Sequence, residues 1–411
     1  GTASSLHSRD YRAESALDGD RQTRWASGGF KAQSAWLQVD LGRSVSVSSV
    51  VIHWEAAYAA EYDIEVSDDG QAWRSVHQQR AGKGGREAIE GLDARGRYVR
   101  IQCLKPGPHP LFSIWEIEFG GEAGRLLADR RRQEAQQAEA ARRVLDTMKR
   151  QGVEEIVFAL RQPGKDGHWY ANFSYYADNE ERLTYGPGGR LCRLNLATRE
   201  VAVLVDDPEG AVRDPVVHYD AKKILFSYRR GESKHFHLYE IDVDGRNLRQ
   251  LTDGGYDDIE PCYLPDDSIV FVSSRCRRWV NCWLTQVAVL HRCDADGQNI
   301  RPISANIEHD NTPWPLPDGR LLYQRWEYID RSQVDFHHLW TANPDGTGQM
   351  IFFGNLHAGT LMIDAKPVPG SRKVVAIFSP GHGRREHDGV VTLIDPTRGP
   401  DDRTAEQPIT R

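Results

Sequence analysis

From Asp214 the chain reads DPVVHYDAKKILFSYRR…HLYEIDVDGRNLRQLT, and the phrase then returns. From Glu260 it is EPCYLPDDSIVFVSS…VLHRCDADGQNIRPIS, and from Thr312 it is TPWPLPDGRLLYQRW…HLWTANPDGTGQMIF. A worn copy, KPVPGSRKVVAIFSPG…GVVTLIDP, starts at Lys366. Each copy holds short apolar runs broken by P-D-G and D-G turns, at a spacing of about fifty residues. A period of that size with four strands per unit predicts a β-propeller, in which equivalent loops of every blade surround one funnel. The first copy begins at its second strand, EIVFALRQ, and the last ends after its third, GVVTLIDP, before a polar tail. Three whole and two partial blades predict an incomplete propeller over 151–411, truncated at the C-terminus, since closed rings need roughly four to eight blades.

Upstream of the repeats the pattern changes twice. Residues 1–121 contain alternating runs, AWLQVDLG, VSSVVIHWE, YDIEVSDDGQAW, RYVRIQCL and IWEIEFGG, separated by Gly, Asp and Ser. These read as the strands of a sandwich. Residues 122–150 are dominated by Ala, Arg, Glu, Gln and Leu, with no Pro and no Gly after Gly124, and predict a helix. Its few apolar side chains, Leu126, Leu127, Val144, Leu145 and Met148, cluster at its ends, which reads as a spacer rather than a coiled coil. The expected fold is all-β: a jelly-roll sandwich joined by a helix to an incomplete propeller of four-stranded blades.

At 411 residues the chain is long enough for two or three domains, and 39% apolar and 27% charged residues with 11 Trp and 15 Tyr suit β-rich globular structure. A formal charge of −7 gives no electrostatic case for nucleic acid. No apolar run reaches the roughly 18 residues of a membrane span. The chain opens at Gly1 with neither Met nor signal peptide, the expectation for a processed form. The six cysteines show no C-x-x-C or C-x-x-C-H spacing, so neither a zinc ribbon nor attached haem is expected. Cys276 and Cys282 bracket one loop and are either a loop-closing disulfide or two thiols.

The ordered run ALDGDRQTRWASG, AWLQVDLG, YDIEVSDDGQAW, YVRIQC and IWEIEFGG resembles the discoidin, or coagulation factor 5/8 type C, domain. That resemblance implies an eight-stranded jelly roll often used to bind carbohydrate. It also implies a calcium ion tying the Asp-Gly loop to the last strand, through Asp18, Asp20, Thr23 and Glu116. The alternative for Asp18 is a plain turn cap. His53, Trp54, Glu55 and Tyr58 form the expected sugar-facing cluster, with Trp54 equally placed to be core.

In the repeats, strand direction puts the short P-D-G turns on one face and the long second-to-third-strand loops on the other, with the segments entering each first strand. Three residues before the repeat proline stand Asp258, Asp310 and Asp364, and His309 precedes Asp310. Converging there, these side chains would hold a divalent metal or act as acid and base; alternatively, each Asp caps its own blade. His168, His235, His237, His337, His338, His357, His382 and His387 fall in or beside the same-face loops. Of these His357 and His382 are expected ligand-binding residues. Arg161, Arg229, Arg275 and Arg325 end successive second strands, ready for an anionic ligand or for blade-internal ion pairs.

The repeats resemble TolB-like (WD40-like) propellers. GHWYANFSYYA, RCRRWVNCWLTQVAVL, EHDNTPWPLPDGR and NLHAGTLMIDAKPVPGS resemble the group related to the middle domain of the hydrazine synthase alpha subunit. The haem-attachment cysteines of that chemistry are missing. The expected function is a secreted or periplasmic glycan-binding protein whose propeller binds or degrades polysaccharide. If it is an enzyme, elimination at a uronic acid would use Arg325 and Arg229 on the carboxylate and His309 or Tyr175 as base. The alternative is a non-catalytic platform that binds other proteins.

Overall fold

Apolar and polar residues alternate along Ala35–Trp54 and Arg86–Pro106, and in the computed structural model these form two long strands paired antiparallel. The described residues are 1–8, 10–28, 34–171, 173–329, 331–380 and 388–410. They divide into two units, Gly1–Thr147 and Met148–Arg411.

In the first unit the pairing of the two long strands slips between Asp40 and Val45 and again between Val47 and Ser49. Such irregularities bend a strand and increase its twist. The sheet runs Trp25–Ala26, Ser113–Phe119, Ala35–Trp54, Arg86–Pro106, Ala59–Ser67, Arg74–Gln79, and closes sandwich-like over one core. Trp25, Leu37, Ile52, Tyr62, Ile64, Ile101, Phe112 and Ile117 fill that core. Each such side chain contributes about 1.5–3 kcal/mol by leaving water.

The helix forms as expected, over Gly121–Arg150. Its first turns are not a free spacer. Ala123 is fully buried, and Leu126 and Leu127 pack on the sandwich core. Only the later turns are solvated, with Val144 57% exposed.

The second unit is built from the repeats. Its first sheet has three strands, Glu155–Leu160, Gly189–Asn195 and Val201–Asp207. Four-stranded units of propeller-blade form follow, opening on Ala211–Val217, Asp258–Tyr263, Asp310–Pro315 and Thr360–Pro367, the last two joined into one eight-stranded sheet by the parallel pairing of Phe336–Ala342 with Thr360–Pro367. The last one corrects the expectation that its copy stops after three strands. Glu406–Pro408 pairs with Val390–Ile394. A polar tail can supply an edge strand, because only one side of it needs a partner and the other faces water.

All five inner strands border one cavity of about 470 Å³. Each of the four opening strands carries a bulge at the same place, where Asp214, Glu260, Thr312 and Asp364 have φ of 54°, 53°, 51° and 55°. A non-glycine residue in this left-handed region costs about 1–3 kcal/mol and persists only where its surroundings over-determine it. Here they do. Asp214 Oδ2 accepts the N–H of Glu260 at 3.1 Å, Glu260 Oε2 that of Thr312 at 2.6 Å, and Thr312 Oγ1 that of Asp364 at 3.3 Å. Each bulge after the first is thus capped by its counterpart in the preceding blade.

This register overturns one equivalence read from the sequence. Asp364 matches Asp214, Glu260 and Thr312, not Asp258 and Asp310. The proline used for counting, Pro367, lies two residues beyond the position held by Pro215, Pro261 and Pro313, which in this strand is Ala365.

Candidate functional site

Loops gather at one end of the first unit around a cavity of about 280 Å³, lined by His7, Tyr11, Arg24, Glu55, His109 and Leu111 among others. Arg24 immediately precedes the strand Trp25–Ala26, and Glu55 immediately follows Ala35–Trp54, so the core strands fix both backbones. The guanidinium of Arg24 pairs with Glu55 at 3.1 Å and lies over the rings of Tyr11 and Trp115, 4.8 and 5.2 Å from their centroids. Glu55 is held from behind by the N–H of Ala57 at 2.9 Å. An aromatic face beside a rigid fork of donors and a carboxylate can stack on an apolar ring face while exchanging hydrogen bonds with hydroxyls.

Of the expected sugar cluster only Glu55 lines this cavity. Trp54 is core, 4% exposed, its indole donating to Glu87 at 3.2 Å. His53 is buried against Glu118 at 2.9 Å, and Tyr58 packs on the core beside Gly84 and Gly107. The alternation that makes Trp54 end a strand also points it inward. Tyr11 and Arg24 were missed because they are far apart in sequence, although Arg24 lies within the quoted Asp-Gly run.

The expected calcium residues are also committed elsewhere. Asp18 Oδ1 accepts the N–H of Asp20 at 2.8 Å and its Oδ2 the hydroxyl of Thr23 at 2.6 Å, while Asp20 caps Gln22 at 2.8 Å. Glu116 is buried; it accepts the N–H of Gly19 at 3.0 Å and the guanidinium of Arg131 at 2.8 Å. Burial raises the Glu116 carboxyl above its ordinary range, against the opposing pull of Gly19 and Arg131. With a fixed cation already on Glu116, the set does not fit calcium. It forms Asx-type turns instead.

In the second unit the face assignment holds. Turns entering second strands meet one another, as where His218 bonds Asp267 at 2.9 Å. On the other face the long loop of the first sheet crosses the others: Tyr170 and Phe173 lie 6.0 and 5.5 Å from His309, and Tyr175 lies 5.2 Å from His235. That loop covers the residues expected to react. His309 is fully buried, stacked on Trp326 at 5.9 Å, and its Nδ1 accepts the N–H of Ala288 at 3.1 Å. Burial pushes its imidazole down to about 3, so it is neutral and a weak base.

Of the other expected catalytic and metal residues, Arg325, Asp258, Asp310 and Asp364 are spent in ion pairs within their blades. Asp310 takes Nε and Nη2 of Arg325 at 2.8 and 3.0 Å, and Asp258 takes Arg275 at 2.8 Å. Being successive residues, His309 and Asp310 leave the strand on opposite faces, so they do not combine. Asp364 bonds Lys366 at 2.5 Å in the central cavity. Arg229 faces Ala211 rather than a carboxylate; it is buried, its Nε and Nη2 meet no partner among the described residues, and burial lowers it. Tyr175 is buried, which raises its phenol. His357 is 2% exposed, between Glu406 at 2.8 Å and the carbonyl of Asp401 at 3.0 Å. His382 and His387 lie outside the described residues. Among the described residues no three His, Cys, Asp or Glu side chains surround a common point suited to a metal, so Asp258, Asp310 and Asp364 form no joint site. All six cysteines, Cys276 and Cys282 included, are thiols.

What that face does offer is exposed aromatic surface in the loop RCRRWVNCW. Trp279 is 62% and Trp283 39% exposed, the latter fixed by Asp166 at 3.0 Å and by His168, 4.4 Å ring to ring. Glu308, nearby in the segment entering the fourth blade, is pushed up to about 7 by burial, with the N–H of Asn281 and the charge of Arg278 pulling the other way.

Residues 1–117 match the F5/8 type C domain. The polysaccharide lyase 8 family protein HylA of Enterococcus faecalis is 35% identical over 102 residues, 24% of this chain and 7% of HylA. The hydrazine synthase subunit alpha of Kuenenia stuttgartiensis is 30% identical over 101 residues, 25% of this chain and 11% of that protein. The chain thus spans only a small part of the length of either curated relative. The solved Kuenenia stuttgartiensis hydrazine synthase matches 63% of this chain and 39% of its own with a TM-score of 0.53 at 19% identity, a likeness of fold. Chitosan-binding module 1 of a Paenibacillus sp. IK-5 chitosanase/glucanase is 37% identical, matching 29% of this chain and 92% of the module, with a TM-score of 0.28.

Proposed function

We propose that the chain is a polysaccharide-binding protein acting outside the cytoplasm, in which the first unit takes a sugar unit into the Tyr11–Arg24–Glu55 cavity. The observation that carries this reading is the Arg24 guanidinium, paired with Glu55 at 3.1 Å and laid over the ring of Tyr11. A hexose presents an apolar face and a rim of hydroxyls, and these three side chains supply a partner for each. The F5/8 type C match over 1–117 and the likeness to HylA, a polysaccharide lyase by name, support a glycan ligand.

The second unit is then a non-catalytic platform, with Trp279 and Trp283 as a further contact surface. Its covered His309, at about 3, and its blade-internal Asp310–Arg325 pair give no support to elimination chemistry on those residues. Incubating the full chain with a panel of uronate, neutral and amino-sugar polysaccharides tests both parts. Retarded migration in at least one polysaccharide gel is expected, with no rise in unsaturated-product absorbance. Absence of retardation across the panel removes the binding reading; a rise in absorbance removes the platform.

A further inference from the structure

The loop Leu17–Thr23 and the last strand of the sandwich are joined by a cation, but the cation is a side chain. Arg131 reaches from the helix and donates Nε–H to the carbonyl of Leu17 at 2.9 Å and Nη2–H to Glu116 Oε1 at 2.8 Å. Its Nη1 lies against Gly19, so close that a Cβ there would stand 3.3 Å away. Glu116 is 2% exposed, and its other oxygen holds the N–H of Gly19 at 3.0 Å. One guanidinium therefore satisfies a buried carboxylate and a loop carbonyl and packs on the glycine between them. A planar fork of donors suits that arrangement.

A divalent ion bridging Glu116 and the Leu17 carbonyl would have to share both oxygens with this fixed positive charge, and like charges at such range repel strongly in a half-buried setting. The neighbouring contacts run the same way. Arg43 pairs with Glu122 at 3.1 Å, and Arg130 reaches the carbonyl of Asp40 at 3.4 Å, so the start of the helix is fastened at several points.

We infer that Arg131 is a built-in cation standing where a metal would tie this loop to the last strand, so that sandwich and helix form one metal-independent unit and removing the guanidinium opens a divalent-cation site. The inference is independent of glycan binding.

The test is thermal melting and terbium luminescence of the full chain after chelation, with and without millimolar calcium. Wild type is expected to show no calcium-dependent gain in Tm and no terbium signal. Arg131→Gln should melt several degrees lower in its first transition, regain part of the loss with calcium, and bind terbium. Arg131→Lys, which keeps the charge, should stay insensitive. A calcium response in wild type overturns the inference, and so does a folded Arg131→Gln that responds no more than wild type. Should Arg131→Gln fail to fold with or without calcium, the wild-type titration decides: a gain in Tm or a terbium signal overturns the inference, and neither, with Arg131→Lys folded and silent, supports it.

Discussion

Glu260 Oε2 accepts the backbone N–H of Thr312 at 2.6 Å, joining one blade of the second unit to the next at the bulge of each inner strand. The same carboxylate takes Arg213 at 3.0 Å, so a buried charge and a strained backbone share one acceptor. Burial raises the Glu260 carboxyl, with Arg213 opposing. The three carboxylates in the central cavity are therefore structural before they are anything else.

Replacing Glu260 separates its two duties. Glu260→Gln keeps an acceptor for Thr312 and is expected to be the milder change. Glu260→Leu leaves that N–H without a partner, at about 1–3 kcal/mol. Urea unfolding of both variants checks the order, and equal losses would show that the inter-blade bond matters little.

The pair Asp310–Arg325 is almost wholly buried, the aspartate at 0% and the arginine at 9% exposure. Removing one partner strands the other charge, so Asp310→Ala should lose about 3–5 kcal/mol. Joint replacement by apolar residues should cost less than Asp310→Ala alone. Denaturant midpoints of the second unit read both.

Acid should weaken the second unit through its covered imidazoles. Burial holds His309 at about 3 and His338 at about 4, against an ordinary 6.5. Both are therefore neutral when folded but protonate when unfolded. Their stabilisation is complete above pH 6.5 and is lost as pH falls toward 4 and then 3. Each tenfold difference in proton affinity between the folded and unfolded chain is worth about 1.4 kcal/mol. Glu308, raised to about 7, works oppositely: its contribution is present below the ordinary 4.5 and lost as pH rises through 7. His309→Phe isolates the imidazole. It should be less stable than wild type at neutral pH, because Ala288 loses its acceptor, and the gap should narrow on acidification. A gap constant from neutral to acid would refute the assignment.

For the first unit, Tyr11→Ala and Arg24→Ala are each expected to weaken polysaccharide binding about tenfold or more, since a stacking face or a charged hydrogen-bonding fork is worth about 1.4 kcal/mol or above. Both side chains lie outside the hydrophobic core, so Tm should change little. Trp54→Ala should do the reverse, with a large loss of Tm from a core cavity. Affinity electrophoresis beside melting curves separates the two outcomes.

What local pattern carries, the sequence carried unaided. The repeat from Asp214 to Pro396, the alternation in 1–121, and the Ala-, Arg- and Glu-rich helix each depend on residues close together in the chain. Antiparallel strand direction alone put His309 on the face opposite the P-D-G turns. The missing first strand of the first blade was equally visible. Tertiary structure decided everything that needs two distant segments to meet. The chain shows Arg131 and Glu116 as a helical arginine and a strand glutamate, and only the docked helix brings guanidinium to carboxylate at 2.8 Å. Tyr11, Arg24 and Glu55 share a cavity because three loops end at the same edge of the sandwich. His309 reads as a base in sequence, but the loop carrying Tyr170 and Phe173 takes it out of water, and burial, not residue type, sets its proton affinity.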